Sequence, residues 1–402
     1  MTYDKKIYTS KALFIIYFLC LNNMLIIYNI TGVFDIFRIP LQLFIMGMFL
    51  VKMAEILRKR YVKKNKYTAI AFLILIMVVY FGGRVFFQSI DKSANGASLL
   101  NNISNSIFSL IVFLLFFEFR ENEKKLDYQK TSIIVFLLVS AMYLYFRINM
   151  PVTGNPHNIY HAQYANSIYY VIFMLPFVLR SRWRYLFLGI AGICVLLSGK
   201  QGAFVAFVLG VVFFYFAERK VSKRPINIKL IIAFIAFFIF SVFAYWFVAN
   251  RLEMDILSGF QSISEDGGNG RLDIYLRLIS LLKKSSFVEI LFGHGGLNSV
   301  ANTLGISAHN DFFEILFDFG IIALIIYIAF ILRIVILFFD LLKRDDDLAP
   351  SMIYTISAFI TLSMLSHLIF VLKYCLLLMA FWGICISESR EEEKRWRLGM
   401  SE

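Results

Sequence analysis

The chain has 402 residues, of which 59% are hydrophobic and only 17% charged, with a formal net charge of +13. Its mean hydropathy is +0.72, whereas soluble domains are about 45–50% apolar and about 25% charged. That balance excludes an ordinary soluble enzyme and points to a polytopic membrane protein. The positive charge reads as loop bias rather than nucleic-acid binding, so no nucleic-acid partner is expected.

The apolar blocks recur with the length of about 17–25 residues that crosses about 30 Å of hydrocarbon. They predict an all-α fold of about 12 transmembrane helices in a single membrane domain, 1–402. The blocks fall near 12–30, 37–57, 67–87, 98–118, 131–147, 163–180, 183–198, 202–217, 229–249, 311–339, 350–367 and 369–387. The first block has no small-residue cleavage site after it and reads as a span, not a signal peptide. Cys20, Cys194, Cys375 and Cys385 sit inside apolar blocks at unrelated spacings, as small buried residues do.

Lys and Arg concentrate in alternate loops, above all in "LRKRYVKKNK" and "ERKVSKRPINIK". The positive-inside rule then places both termini in the cytoplasm. Histidines follow the opposite bias: His157, His161, His294 and His309 fall on the outer side, and His367 at an outer helix end. His157 and His161 are four residues apart, but Pro156 precedes them and no Cys or Glu completes a ligand set, so no metal site is expected.

Most connections are short; residues 250–310 form one long outer loop. Gly267, Gly268 and Gly270 break regular structure, and Asn269 is a candidate cap for a helix beginning there. On a helical wheel Asp273, Arg277, Ser280 and Lys284 share one side of residues 271–284. Leu272, Ile274, Tyr275, Leu278, Ile279, Leu281 and Leu282 share the other. That pattern predicts an amphipathic helix at the membrane surface. Arg271 falls at the centre of the apolar face, where a guanidinium needs an anionic partner. The "FGHGGLNS" stretch that follows reads as a turn, with His294 a solvated loop residue.

The next stretch, "GISAHNDFFEILFDFG", sets His309, Asn310, Asp311, Glu314 and Asp318 at the mouth of a membrane helix. Asp311 and Glu314 have capping-box spacing, and acidic groups suit a helix N-terminus. Asp318, about two turns into an apolar helix, is expected to face water. His309 is a candidate base, since a neutral imidazole takes a proton from a hydroxyl.

Two passages, "GNGRLDIYLRLISLLKKSSFVEILFGHGG" and "SAHNDFFEILFDFGIIALIIY", resemble the O-antigen polymerase (Wzy) and O-antigen ligase superfamily. "SGKQGAFVAFVLG" and "HNIYHAQYANSIYYVIFMLP" are similar to earlier blocks of the same superfamily. The resemblance covers roughly residues 157–340. It implies a metal-independent, cofactor-free glycosyltransferase of the GT-C type, working outside the bacterial cytoplasmic (inner) membrane. Donor and acceptor would be oligosaccharides carried on undecaprenyl pyrophosphate, with a chain-length regulator and a flippase as protein partners. It assigns His309 as base or acceptor-positioning group and Arg271 to the donor pyrophosphate. The family's earlier block carries arginine where this chain has Lys200, which keeps the charge but loses the planar fork. Lys200 itself, or an outer arginine such as Arg84, Arg147 or Arg251, is left to fill that role. Substrate contacts are further expected from Asn310, Glu314, Asp318, Arg277, Arg147 and His157. An O-antigen ligase would share these parts and differ in its acceptor, and a lipid-linked oligosaccharide flippase is the alternative of a different class.

Overall fold

The computed structural model describes residues 4–27, 66–91, 107–117, 128–149, 166–226, 271–366 and 372–397, with single positions inside 40–47 and 232–243. Among the described residues every regular element is helical. In chain order these are α1 (Asp4–Ile27), α2 (Lys66–Asp91), α3 (Ile107–Phe117), α4 (Gln129–Asn149) and α5 (Ile168–Met174), whose last turn tightens into a 3-10 turn at Leu175–Phe177. Then come α6 (Arg184–Ser198), α7 (Gln201–Val221), α8 (Arg271–Lys284), α9 (Phe287–Phe292), α10 (Ser299–Leu304), α11 (Asp311–Lys343), α12 (Ala349–Leu365) and α13 (Leu372–Arg397). Helices suit an apolar medium because each satisfies its own backbone polar groups.

Four helices are long and apolar enough to cross a membrane: Ala69–Ser89, Gln129–Asn149, Gln201–Val221 and Asp311–Lys343. The spans predicted near 163–180, 183–198 and 350–367 appear as shorter apolar helices, Ile168–Phe177, Arg184–Ser198 and Ala349–Leu365. The expected spans at 37–57 and 229–249 lie largely outside the described residues.

The core is aromatic. Trp382 on α13 meets Phe330 and Phe359 edge-on at 5.8 and 5.2 Å, and its indole N–H donates to Thr355 Oγ1 at 2.8 Å. A buried indole needs such a partner, because an unmet donor costs about 1–3 kcal/mol. α7 packs along α12, α11 against α2, and α13 against α1 and α5.

Charged groups segregate to the two ends of the helices. One end gathers segments predicted as cytoplasmic: Arg180 pairs with Asp347 at 2.8 Å and Glu388 at 3.0 Å, and Arg184 with Glu218 at 3.1 Å. Lys223 reaches Asp345 at 3.0 Å. The opposite end carries the folded part of the long loop.

There the expected single helix from 311 onward is broken. Gly320 has φ 84° and ψ 176°, so two helical pieces meet at it. A break leaves carbonyls without their usual partners four residues on. Here Phe317 O accepts the His294 N–H and Asp318 O the Gly296 N–H, both at 2.9 Å. Phe319 O accepts the Tyr80 hydroxyl at 2.8 Å. Only glycine permits this contact. A Cβ on Gly293 would strike the Asp318 carbonyl, and one on Gly320 the Leu291 carbonyl. Both glycines also hold positive φ, 80° and 84°.

Gly320→Ala or Gly293→Ala is therefore expected to destabilise the protein by about 3 kcal/mol or more, from strain and overpacking together. Gly189→Ala, on a helix with no atom within 4 Å of the added carbon, is expected to be neutral. Thermal melting in detergent checks the contrast; equal melting temperatures for all three variants would contradict it.

Candidate functional site

α8 reads in the structure as three stripes rather than two. Ile274 and Leu278 are buried, with Tyr275, Leu281 and Leu282 beside them, against Val300, Ala308, Phe313 and Phe317. Tyr275 stacks on Phe313 at 4.7 Å. Leu272, Leu276 and Ile279 are exposed, so the apolar side predicted as one face splits between protein and surroundings. At 100° per residue Arg271 falls on the protein-facing stripe, beside Leu278. Arg277 is exposed on the polar side and is not brought to His309.

His309 stands at the end of the loop joining α10 to α11, in the left-handed region with φ 51°. A non-glycine residue held there is uncommon and needs support. Glu314 supplies it: its carboxylate accepts the Ala308 N–H at 2.6 Å and also the His309 N–H. Asn310 is the N-cap of α11, accepting from the N–H groups of Phe312 and Phe313 at 3.0 and 3.2 Å. Its amide donates to Met364 O at 3.2 Å, tying the cap to the end of α12. The expected cap pair of Asp311 and Glu314 is thus corrected: Asn310 caps, and Glu314 reaches further back. Asp311 is fully buried, with the Tyr327 hydroxyl 3.4 Å from it.

Asp318 differs from expectation too. It is 1% exposed and accepts the Val300 N–H at 2.9 Å, so it holds the start of α10 instead of facing water. Its position two residues before the Gly320 break explains this, because the apolar helix predicted around it is not continuous. His294 is likewise no solvated loop residue. Its ring lies flat on Phe317 at 4.0 Å, 2.7 Å from Ser285 Oγ and 3.1 Å from Phe317 O.

The second cation comes from the connection between α6 and α7. Lys200 is the N-cap residue of α7. Its ammonium donates to Asn166 Oδ1 and, at 3.2 Å, to the Tyr169 hydroxyl, and lies 4.9 Å from the Tyr169 ring centre. Arg147, at the end of α4, donates from Nε to Leu197 O at 2.7 Å, which holds it at the same end of the helices. Arg84 donates to Gly293 O at 3.2 Å, on the far side of the glycine contact. His157 and Arg251 lie outside the described residues, as does Asn269.

Arg271, Lys200 and His309 form one electrostatic unit. The His309 imidazole is held below its usual pKa, first by burial, then by the Arg271 charge, then by that of Lys200. All three effects oppose a positive ring. The site therefore sets an arginine and a lysine near an imidazole whose neutral form is favoured. Among the described residues Arg271 makes no hydrogen bond or ion pair that would occupy its guanidinium. Two cations can hold an anion such as a pyrophosphate, and the imidazole can accept a proton. Among the described residues no group of three or more His, Cys, Asp and Glu side chains is placed to hold a metal ion.

Sequence reasoning missed Asn166 and Tyr169, the partners of Lys200, because nothing local marks them. It also passed over Tyr80 and Gln88. With Arg84 these form an i, i+4, i+8 polar stripe on α2 that reaches Phe319, Gly293 and Leu297. That spacing was the available signal.

Residues 186–328 match the family model described as O-antigen ligase, which bears out the resemblance read from the loop motifs. The match contains Lys200, Arg271, Arg277, His309, Asn310, Glu314 and Asp318; Arg147 and His157 precede it. No curated protein matched the chain.

Removing either cation should raise the His309 pKa. Arg271→Gln is expected to move its titration midpoint upward more than Lys200→Gln does, following the order of their effects on the ring. Histidine ring NMR signals followed against pH would measure this, and an unmoved midpoint in both variants would show that the charges do not share a site.

Proposed function

We propose that this helical membrane protein, whose residues 186–328 carry the O-antigen ligase family domain, is a polysaccharide repeat-unit polymerase. It transfers a growing glycan from undecaprenyl pyrophosphate to a hydroxyl of a lipid-linked acceptor repeat unit. The observation that carries this reading is the depressed, neutral His309 beside two cations, Arg271 and Lys200.

Glycosyl transfer from a lipid pyrophosphate makes two demands. The bond from the anomeric carbon to the pyrophosphate oxygen breaks, and the leaving group keeps that electron pair as negative charge. Fixed cations aimed at that charge stabilise it. Arginine binds two phosphate oxygens at once through its planar fork, while lysine acts as a point charge. The acceptor hydroxyl must also lose its proton as the new glycosidic bond forms. A neutral imidazole takes that proton, and a positioned base of this kind contributes typically about 10²–10⁴-fold. His309 owes its position to Glu314 and Asn310, which are therefore positioning residues. Asp318 acts one step further away, through α10.

The reaction belongs on the outer side of the cytoplasmic membrane, at the end of the helices opposite the Arg180–Asp347–Glu388 ion pairs. The donor arrives with its sugar already lipid-linked, so neither a nucleotide-sugar domain nor a cofactor enters the scheme. A ligase reading is favoured by the description of the matched family itself. The same residues would then pass the glycan to lipid A core.

His309→Ala and Arg271→Ala are expected to abolish long polysaccharide chains while protein levels stay unchanged. Arg271→Lys is expected to remain poor because the bidentate contact is lost. The assay uses purified protein with lipid-linked repeat units, without nucleotide sugar or divalent metal, and reads the chain-length ladder. Normal ladders from both alanine variants would remove the mechanism. A product that forms only after lipid A core is added would favour the ligase.

A further inference from the structure

At the outer end of α2 lies a cavity of about 280 Å³, lined by Arg84, Phe87, Gln88, His294, Gly295, Ser299, Asn302 and Thr303. The residues around His309 do not line it. We propose that this cavity is a second glycan subsite, which holds one sugar ring of the lipid-linked chain away from the reacting centre. The proposal rests on the glycan-transfer reading above and adds to it where a further part of the substrate sits.

The chemistry of the lining selects the ligand. No carboxylate lines the cavity, so nothing there favours a cationic guest. Arg84 is held through one terminal nitrogen, which donates to Gly293 O at 3.2 Å, and a guanidinium has five N–H donors in all. Its guanidinium is thus fixed in place with a donor left to offer. Gln88 is fixed in the same way, donating to Leu297 O at 3.1 Å. Thr303 donates its hydroxyl proton to Ser299 O at 2.8 Å, which leaves the oxygen free to accept. Asn302 brings both a donor and an acceptor at an exposed position. Phe87 sets an exposed ring at the same opening. Fixed planar polar groups beside an aromatic face match a sugar, whose ring offers adjacent hydroxyls on its rim and C–H bonds on its faces. The volume is at the lower end of the roughly 300–1,000 Å³ of small-molecule sites, so it accommodates one ring and not an oligosaccharide.

The position explains why such a site would matter. Its floor is α10, and five residues separate Thr303 from His309 along the chain. Asp318 holds the start of α10, and Glu314 holds the other end of the connection through the Ala308 and His309 N–H groups. A ring bound here would therefore be held at a set separation from His309, orienting the rest of the chain.

The test measures binding of a fluorescently labelled free oligosaccharide, released by mild acid from the lipid-linked repeat unit and so lacking the pyrophosphate. Full-length protein in detergent is used throughout. Asn302→Trp fills the cavity from an exposed position, and Phe87→Ala removes the aromatic face. Each is expected to weaken binding by about ten-fold or more, the loss of one good contact, with the melting temperature of the wild type. Gly189→Ala, whose added carbon meets no atom within 4 Å, is expected to bind within about two-fold of wild type. Unchanged binding in both cavity variants would overturn the proposal. So would a Gly189→Ala loss as large as theirs, or displacement of the probe by phosphatidylglycerol vesicles, which would mark a lipid-headgroup site. If the cavity variants lose binding while His309→Ala still makes normal ladders, the subsite stands and the catalytic reading fails.

Discussion

Everything at the end of this protein that carries residues 271–310 hangs on one backbone contact. Gly293 and Gly320 let two stretches of main chain approach to a distance that no side chain allows. The break at Gly320 frees the carbonyls of residues 317–319, and the approach supplies their replacement donors from His294, Gly296 and Tyr80. In an apolar setting an unmet carbonyl is costly, so break and turn are stable only together. The turn in this way fixes α9 and α10 over α11, and α10 leads directly into His309.

The carboxylates around that histidine are chiefly internal. Glu314 shapes the loop, Asp318 holds α10, and Asp311 is buried beneath the start of α11. Each accepts a hydrogen bond from within the chain. With the nearby acids engaged in this way, the charges that act on His309 are the two cations. An anion would gain from this division, since free carboxylates beside the cations would repel it.

The two cations are mounted differently. Arg271 opens α8 and takes its direction from the buried stripe of Ile274 and Leu278. Lys200 is clamped by Asn166 and Tyr169 from another part of the chain. A lysine restrained in this way loses much of its rotamer freedom before any ligand binds. Restraint of that kind offsets part of what is lost when a rigid guanidinium fork is replaced by a flexible ammonium.

Composition alone determined that the protein belongs to the membrane, because no soluble core can bury so large an apolar share. Helical periodicity alone set Arg271 on the inward face of its helix, since the angle between residues of one helix is fixed by backbone geometry. The loop motifs marked His309 as a candidate through their resemblance to a known family. Tertiary structure decided what periodicity cannot see. Asp318 proved to be a structural cap because its helix stops at Gly320, and that stop depends on a turn that precedes it in the chain. His294, half-buried, found a stacking partner on another element. Lys200 joined Arg271 and His309 only because α6, α7, α8 and α11 end together. Contacts between distant segments carry no periodic signal; they exist only once packing has chosen which helix ends meet.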